Sequence, residues 1–119
     1  MTTDMNTYSI LCPVDFSGCS SEAVKYANLL ACTAKAKVTY LHIHDENEKR
    51  PIQESQDRIS EFVERLVGEV PSTCVVETGR PHHAICNYAK ENRFNLVVVG
   101  THGRTGFDRL SSAVLPRQS

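Results

Sequence analysis

The sequence lacks the features that mark several large classes of protein. Its formal net charge is −1, and its basic residues are not interleaved with aromatic ones, so it offers no field or surface for nucleic acid. No apolar run approaches the roughly 20 residues that span a bilayer. The first residues contain no basic segment followed by an apolar one, so we expect no signal peptide. We therefore expect neither a nucleic acid nor a membrane as a partner.

The cysteines do not form a disulfide or zinc pattern. There are five, an odd number, and none is in a C-x-x-C motif, which favours reduced thiols in the cytoplasm. Cys19 is the thiol that we expect to be exposed near a functional turn. His42 and His44 share one face of a predicted strand, but no third ligand accompanies them, so we expect histidines at the sheet surface and no metal site.

Motifs for catalysis are also missing. The sequence has no G-x-S-x-G, no paired acids outside a charged loop, and no G-x-x-x-x-G-K-[ST] to hold a triphosphate with a lysine. An enzymatic role is therefore not the favoured hypothesis.

What the sequence does contain is a buried strand followed by a glycine-rich segment. Residues 96–99 are four consecutive apolar residues, typical of a strand buried on both faces. Glycines follow at 100, 103 and 106, together with Arg104. Such a segment allows backbone N–H groups and a guanidinium to approach an anion. The alternative is that the glycines only make a tight turn between a strand and a helix.

Strand and helix patterns alternate along the whole of this 119-residue chain, which we interpret as one domain, 1–119. We predict strands over 8–14, 37–44, 73–78 and 96–99, and helices over 23–33, 53–67 and 81–89, with a short one from about 107. This order predicts an α/β fold with a parallel sheet, whose ligands bind at the carboxyl ends of the strands. Asp15 and Gly100 follow strands one and four, and would face each other if those strands are neighbours.

Four motifs, in order and spacing, resemble the universal stress protein family over nearly the whole chain. They are Ile10-Leu11-Cys12-Pro13-Val14-Asp15-Phe16-Ser17, Leu41-His42-Ile43, Gly79-Arg80-Pro81-His82, and the segment Val98-Val99-Gly100-Thr101-His102-Gly103-Arg104-Thr105-Gly106.

The resemblance implies a Rossmann-like domain with strand order 3-2-1-4-5 that forms homodimers. One branch of the family binds ATP or AMP, with Mg²⁺ as a further candidate, through a G-x2-G-x9-G-[S/T] signature. By position, the resemblance places Pro13 and Asp15 of the first motif beside the nucleoside, and Ile43 of the second motif beside adenine. The phosphates would be held by four residues of the last motif: Gly100, His102, Gly103 and Arg104.

The sequence departs from the family pattern in two places. Ala113 and Val114 occupy the positions of the third signature glycine and of the Ser or Thr, so half of the phosphate signature is missing. Pro116 then breaks the predicted last helix, and the chain given ends at Ser119. We therefore predict strand order 3-2-1-4 with the fifth strand missing, and an edge of strand four that is uncovered or covered by another chain.

Two functions remain open at this point, with slow ATP hydrolysis, which the resemblance implies for some members of the family, as a weaker third. The first is a stress-response module that binds an adenine nucleotide in the crevice between strands one and four. The second is a stress or interaction protein that binds no nucleotide and acts through its surface and its oligomeric state.

Overall fold

The elements alternate as the sequence predicts, up to the last one. The computed structural model describes residues 8–68, 72–102 and 108–114. In chain order they are β1 (Ser9–Pro13), α1 (Gly18–Ala34), β2 (Lys37–Asp45), α2 (Ile52–Val67), β3 (Thr73–Gly79), α3 (Pro81–Asn92), β4 (Leu96–His102) and β5 (Asp108–Val114).

Five strands form one sheet with the order β3-β2-β1-β4-β5. The pairs β2–β3, β1–β2 and β1–β4 are all parallel, so these four strands have their carboxyl ends at the same edge. The predicted α/β fold and the order 3-2-1-4 are therefore confirmed. Because the chain leaves β1 toward β2 and later returns to β4 on the other side, a crevice opens between β1 and β4, where such folds bind ligands.

The prediction of a short helix from about 107 and of a missing fifth strand is wrong. Asp108–Val114 is a strand that pairs antiparallel with β4, from His102↔Asp108 to Leu96↔Val114. A helix of this length before Pro116 would be marginal, since short isolated helices gain too few hydrogen bonds to offset nucleation. Pairing with β4 instead satisfies a row of backbone groups at the sheet edge. The edge of β4 is thus covered by the chain itself.

The two faces of the sheet bury separate cores. Alternate strand residues point to opposite faces. On one face α1 and α2 cover the sheet, around buried Ile10, Cys12, Tyr40, Ile59 and Val98. On the other face α3 covers the sheet, around buried Leu11, Leu41, Ile43, Ala89 and Phe94.

The hydroxyl of Tyr40 is a destabilising polar group in the first core. The side chain is fully buried, and its oxygen finds no hydrogen-bond partner among the described residues. A buried polar group without a partner costs its lost hydration. We therefore expect Tyr40→Phe to raise the free energy of unfolding by about 1 kcal/mol in urea denaturation.

The control for that prediction is Tyr26→Phe. Tyr26 is 38% exposed, so its hydroxyl keeps its water and the change is expected to stay within about 0.5 kcal/mol. If Tyr40→Phe lowers the free energy of unfolding while Tyr26→Phe does not, the Tyr40 hydroxyl has a hydrogen-bond partner and the prediction is contradicted.

Candidate functional site

The turn between β1 and α1 fixes the carboxylate of Asp15 at the carboxyl end of β1. Its Oδ1 accepts from the hydroxyls of Ser17 and Ser20, both at 2.6 Å, and from the backbone N–H of Ser17 at 3.0 Å. The Oγ of Ser17 also caps α1 by accepting from the N–H of Ser20, at 3.2 Å. The same two serines therefore start the helix and orient the carboxylate.

These bonds favour the charged form of the carboxylate, and all of them go to one of its two oxygens. Partial burial acts to raise the pKa of Asp15, but the hydrogen bonds from Ser17 and Ser20 outweigh it, and the pKa is lowered overall. All three of these donors bond to Oδ1, and no hydrogen bond to Oδ2 is found within the described part of the chain.

A cavity of about 230 Å³ opens beside Asp15 at the carboxyl ends of β1 and β4. Ser20, His42 and Gly100 line it together with Asp15. The rest of its lining is apolar and comes from the end of β1, the residue after it, β2, β4 and α3: Pro13, Val14, Ile43, Val99, Pro81 and Ile85. We call this cavity the crevice. It combines an apolar pocket, which suits a planar base, with one carboxylate, which suits a hydroxyl donor.

The structure brings together four of the seven predicted site residues. Pro13, Asp15, Ile43 and Gly100 all line the crevice. His102 is the last residue of β4, and Gly103 and Arg104 lie outside the described residues.

The sequence pattern predicts a turn at Gly100, but in the structure this residue lies within β4. A Cβ at this position would lie 2.2 Å from the carbonyl oxygen of Cys19 and 2.9 Å from its Cβ. Gly100 therefore allows the first turn of α1 to approach β4. Cys19 is buried by this contact, with 2% exposure, so the expectation of an exposed thiol is wrong.

The two signature positions that depart from the family pattern lie away from the crevice. In the register of the hairpin, Ala113 pairs with Val97 and Val114 with Leu96. These are the first residues of β4, whereas the crevice is lined by Val99 and Gly100 farther along the strand. The antiparallel path of β5 thus carries both positions toward the opposite edge of the sheet.

His42 contributes to the site in a way that the sequence reading missed. Its Nδ1 lies 2.7 Å from the carbonyl oxygen of Val14, and since a carbonyl can only accept, Nδ1 carries the proton. His44 is buried, and its Nδ1 lies 2.8 Å from the Oγ of Ser55 on α2. His44 thus lies under α2 and not at the sheet surface, where we expected it. His42 is half-buried and lines the crevice.

Burial of His42 predicts a pH dependence of stability. Burial lowers its pKa, with help from the positive Arg58 and from His44, against the opposing effects of Val14 and Asp15. The unfolded chain therefore takes up a proton at its ordinary value of 6.5, before the folded chain does. We expect the contribution of His42 to the free energy of unfolding to fall as the pH drops below 6.5, and to be lost in full once the pH is below the pKa of His42 in the folded chain.

His42→Gln is the variant that isolates this contribution. Its unfolding free energy, measured in urea at several pH values, should vary less over the same range than that of the wild type. Identical slopes would contradict the assignment.

The described residues offer no metal cluster, no membrane-spanning helix and no disulfide. No group of three His, Cys, Asp or Glu side chains in this part of the chain could hold a metal ion. None of the described helices is long and apolar enough to cross a membrane. All five cysteines are described, and no disulfide joins them.

The sheet order and the crevice define the class: a Rossmann-like α/β domain with a cavity at the switch between β1 and β4. A family model described as the universal stress protein family matches residues 7–114. The chain belongs to the universal stress protein family, as its motifs indicated.

Solved structures show the same fold. Universal stress protein UspA from Lactobacillus plantarum is 23% identical, with a TM-score of 0.63, over 81% of this chain and 78% of that one. Hypothetical protein MJ0577 is 25% identical, with a TM-score of 0.64, over 83% and 78%. A universal stress protein in complex with cAMP is 20% identical, with a TM-score of 0.59, over 76% and 69%. The search of curated proteins found no significant match.

Proposed function

We propose that this protein is a stress-response module that binds an adenine nucleotide in the crevice. The observation that carries the proposal is the placement of Asp15 beside an apolar cavity at the carboxyl ends of β1 and β4. The adenine would pack against Ile43 and Ile85, and Oδ2 of Asp15 would accept from a ribose hydroxyl. A relative in complex with cAMP supports the same ligand class.

The geometry favours recognition of the nucleoside over recognition of a triphosphate. Ala113 and Val114 pair with the beginning of β4 and lie away from the crevice. They also lack the glycine and the hydroxyl of the family signature. We therefore expect AMP and ATP to bind with similar affinity, with Gly103 and Arg104 as the proposed phosphate contacts. Any Mg²⁺ would be held through the phosphates of ATP.

Thermal unfolding with added nucleotide tests the proposal. A ligand at about 100 times its Kd stabilises the folded state by roughly 2.7 kcal/mol, which for this domain raises Tm by about 10 °C. Both AMP and ATP should produce this shift. An AMP analogue without the 2′ and 3′ hydroxyls is the matched control, and it should shift Tm much less at equal concentration.

The same measurement distinguishes nucleotide binding from the alternative function. If saturating AMP and ATP leave Tm unchanged, the chain is a member that binds no nucleotide and acts through its surface. We further propose a cytoplasmic location, consistent with the five thiols, and a homo-oligomer. In that assembly the outer edge of β5 is the proposed contact, since its backbone groups on that side face no strand within the described residues.

A further inference from the structure

The residue after Asp15 has an unusual backbone conformation. Phe16 has a φ of +67°. The other two described non-glycine residues with positive φ, Lys35 and Arg93, are the C-caps of α1 and α3, where this conformation is common. Phe16 ends no helix, so its conformation costs free energy that the surrounding contacts must offset.

Those contacts come from β2 and α2. The ring centroid of Phe16 lies 4.5 Å from that of His42 and 5.4 Å, edge to face, from that of Phe62. The guanidinium carbon of Arg58 lies 4.2 Å from the same centroid, the geometry of a cation–π contact. Arg58 forms no ion pair with an acidic side chain among the described residues. We call Phe16, His42, Arg58 and Phe62 the aromatic stack.

The aromatic stack holds the chain on both sides of Asp15. His42 donates to the carbonyl of Val14, the residue before Asp15, and its ring contacts Phe16, the residue after it. The position of the carboxylate is thus fixed by Ser17 and Ser20 from within the turn, and by β2 and α2 from outside it.

Phe16 and Arg58 do not line the crevice. They line a second cavity of about 250 Å³, which shares Asp15, His42 and Ile43 with the crevice as a common wall. Any effect of Phe16 or Arg58 on a ligand in the crevice must therefore pass through this wall.

We propose that Phe16 and Arg58 are positioning residues: the aromatic stack holds Phe16 in its left-handed conformation, orients the carboxylate of Asp15 and so sets the affinity of the crevice. This proposal rests on the proposed nucleotide binding. It makes α2 a control element, because any partner or modification that draws Arg58 away from Phe16 would lower nucleotide affinity without entering the crevice.

Calorimetric titration of AMP into the full chain tests the proposal with two matched arginines. Arg58→Gln removes the cation–π contact and should raise the Kd about threefold to fivefold. Arg50→Gln makes the same charge change in the same second cavity, but Arg50 pairs with Glu48 and not with Phe16. Its Kd should equal that of the wild type, and equal losses in both variants would overturn the role of the stack.

Substitutions of Phe16 separate positioning from general packing. Phe16→Leu keeps an apolar side chain but removes the ring, and should raise the Kd at least about tenfold, since both the stacking and the cation–π contact are lost. Phe16→Tyr keeps the ring and should restore binding. If Phe16→Leu binds like the wild type while Asp15→Asn does not bind, positioning is wrong and nucleotide binding stands.

The positioning role can also be tested without nucleotide. This matters if the wild type does not bind AMP and the proposed function is wrong. The titration of the Asp15 carboxyl group, followed by NMR, reports its bonds from Ser17 and Ser20. In Phe16→Leu these bonds should loosen and the pKa of Asp15 should rise toward its ordinary value. An unchanged pKa would overturn the positioning role by itself.

Discussion

Replacing Gly100 with Ala is expected to lower the free energy of unfolding by about 3 kcal/mol or more, a drop in Tm of about 10 °C. The added Cβ would lie 2.2 Å from the carbonyl oxygen of Cys19 and 2.5 Å from its carbonyl carbon. Both atoms belong to the backbone of the first turn of α1, so no rotamer change can relieve the overlap. The helix must shift away from β4, and the apolar core beneath it must repack.

Gly68→Ala is the control for this result. Gly68 has a φ of +80°, but nothing lies within 4 Å of an added Cβ. Its replacement should therefore cost only backbone strain, about 1 kcal/mol. Calorimetric melting of both variants decides between steric overlap and strain. If Gly100→Ala melts within about 2 °C of the wild type, the close approach of α1 to β4 is contradicted.

Asp15→Asn is expected to weaken the binding of AMP and ATP by about tenfold to a hundredfold. The carboxylate would accept a charge-assisted hydrogen bond from the ribose, and such bonds contribute roughly 1.5–3 kcal/mol. The amide oxygen of the variant can still accept from Ser17 and Ser20, so the turn should persist. We therefore expect Tm without ligand to change little, and the nucleotide-dependent rise in Tm to be largely lost.

Asp45→Asn is the matched control. Asp45 ends β2, and its Oδ1 accepts from the N–H of Asn47 at 2.8 Å, so it stabilises a turn as Asp15 does. It lines the second cavity and not the crevice. Nucleotide binding should survive this change. An Asp15→Asn protein whose Tm still rises as in the wild type would contradict the assignment of the site.

The elements with strong periodic patterns could be predicted from the sequence. The continuous apolar character of β4 and the β-branched residues of β2 reflect burial in a parallel sheet, which local sequence encodes directly. Asp15 was found because it follows the apolar run of β1, where the first polar side chain meets the carboxyl edge of the sheet.

The features that could not be predicted from the sequence depend on contacts between residues far apart along the chain. The segment Asp108–Val114 has no clear period, and its pairing with β4 depends on an edge that only the folded sheet presents. Gly100 looked like a residue for a turn or an anion, because the sequence does not show that α1 passes over it. The aromatic stack is equally non-local, since it joins Phe16 to residues 26 to 46 positions away along the chain.

The most direct test of the crevice is a titration of the ¹⁵N-labelled protein with AMP, followed by amide NMR. We expect saturable shift changes centred on the N–H groups of residues that line the crevice: Asp15, Ser20, Ile43, Val99 and Gly100. The same titration of Asp15→Asn should require a much higher AMP concentration. The absence of shifts at millimolar AMP, or shifts centred on the separate surface pocket around Glu77 and Glu91, would contradict nucleotide binding at this site.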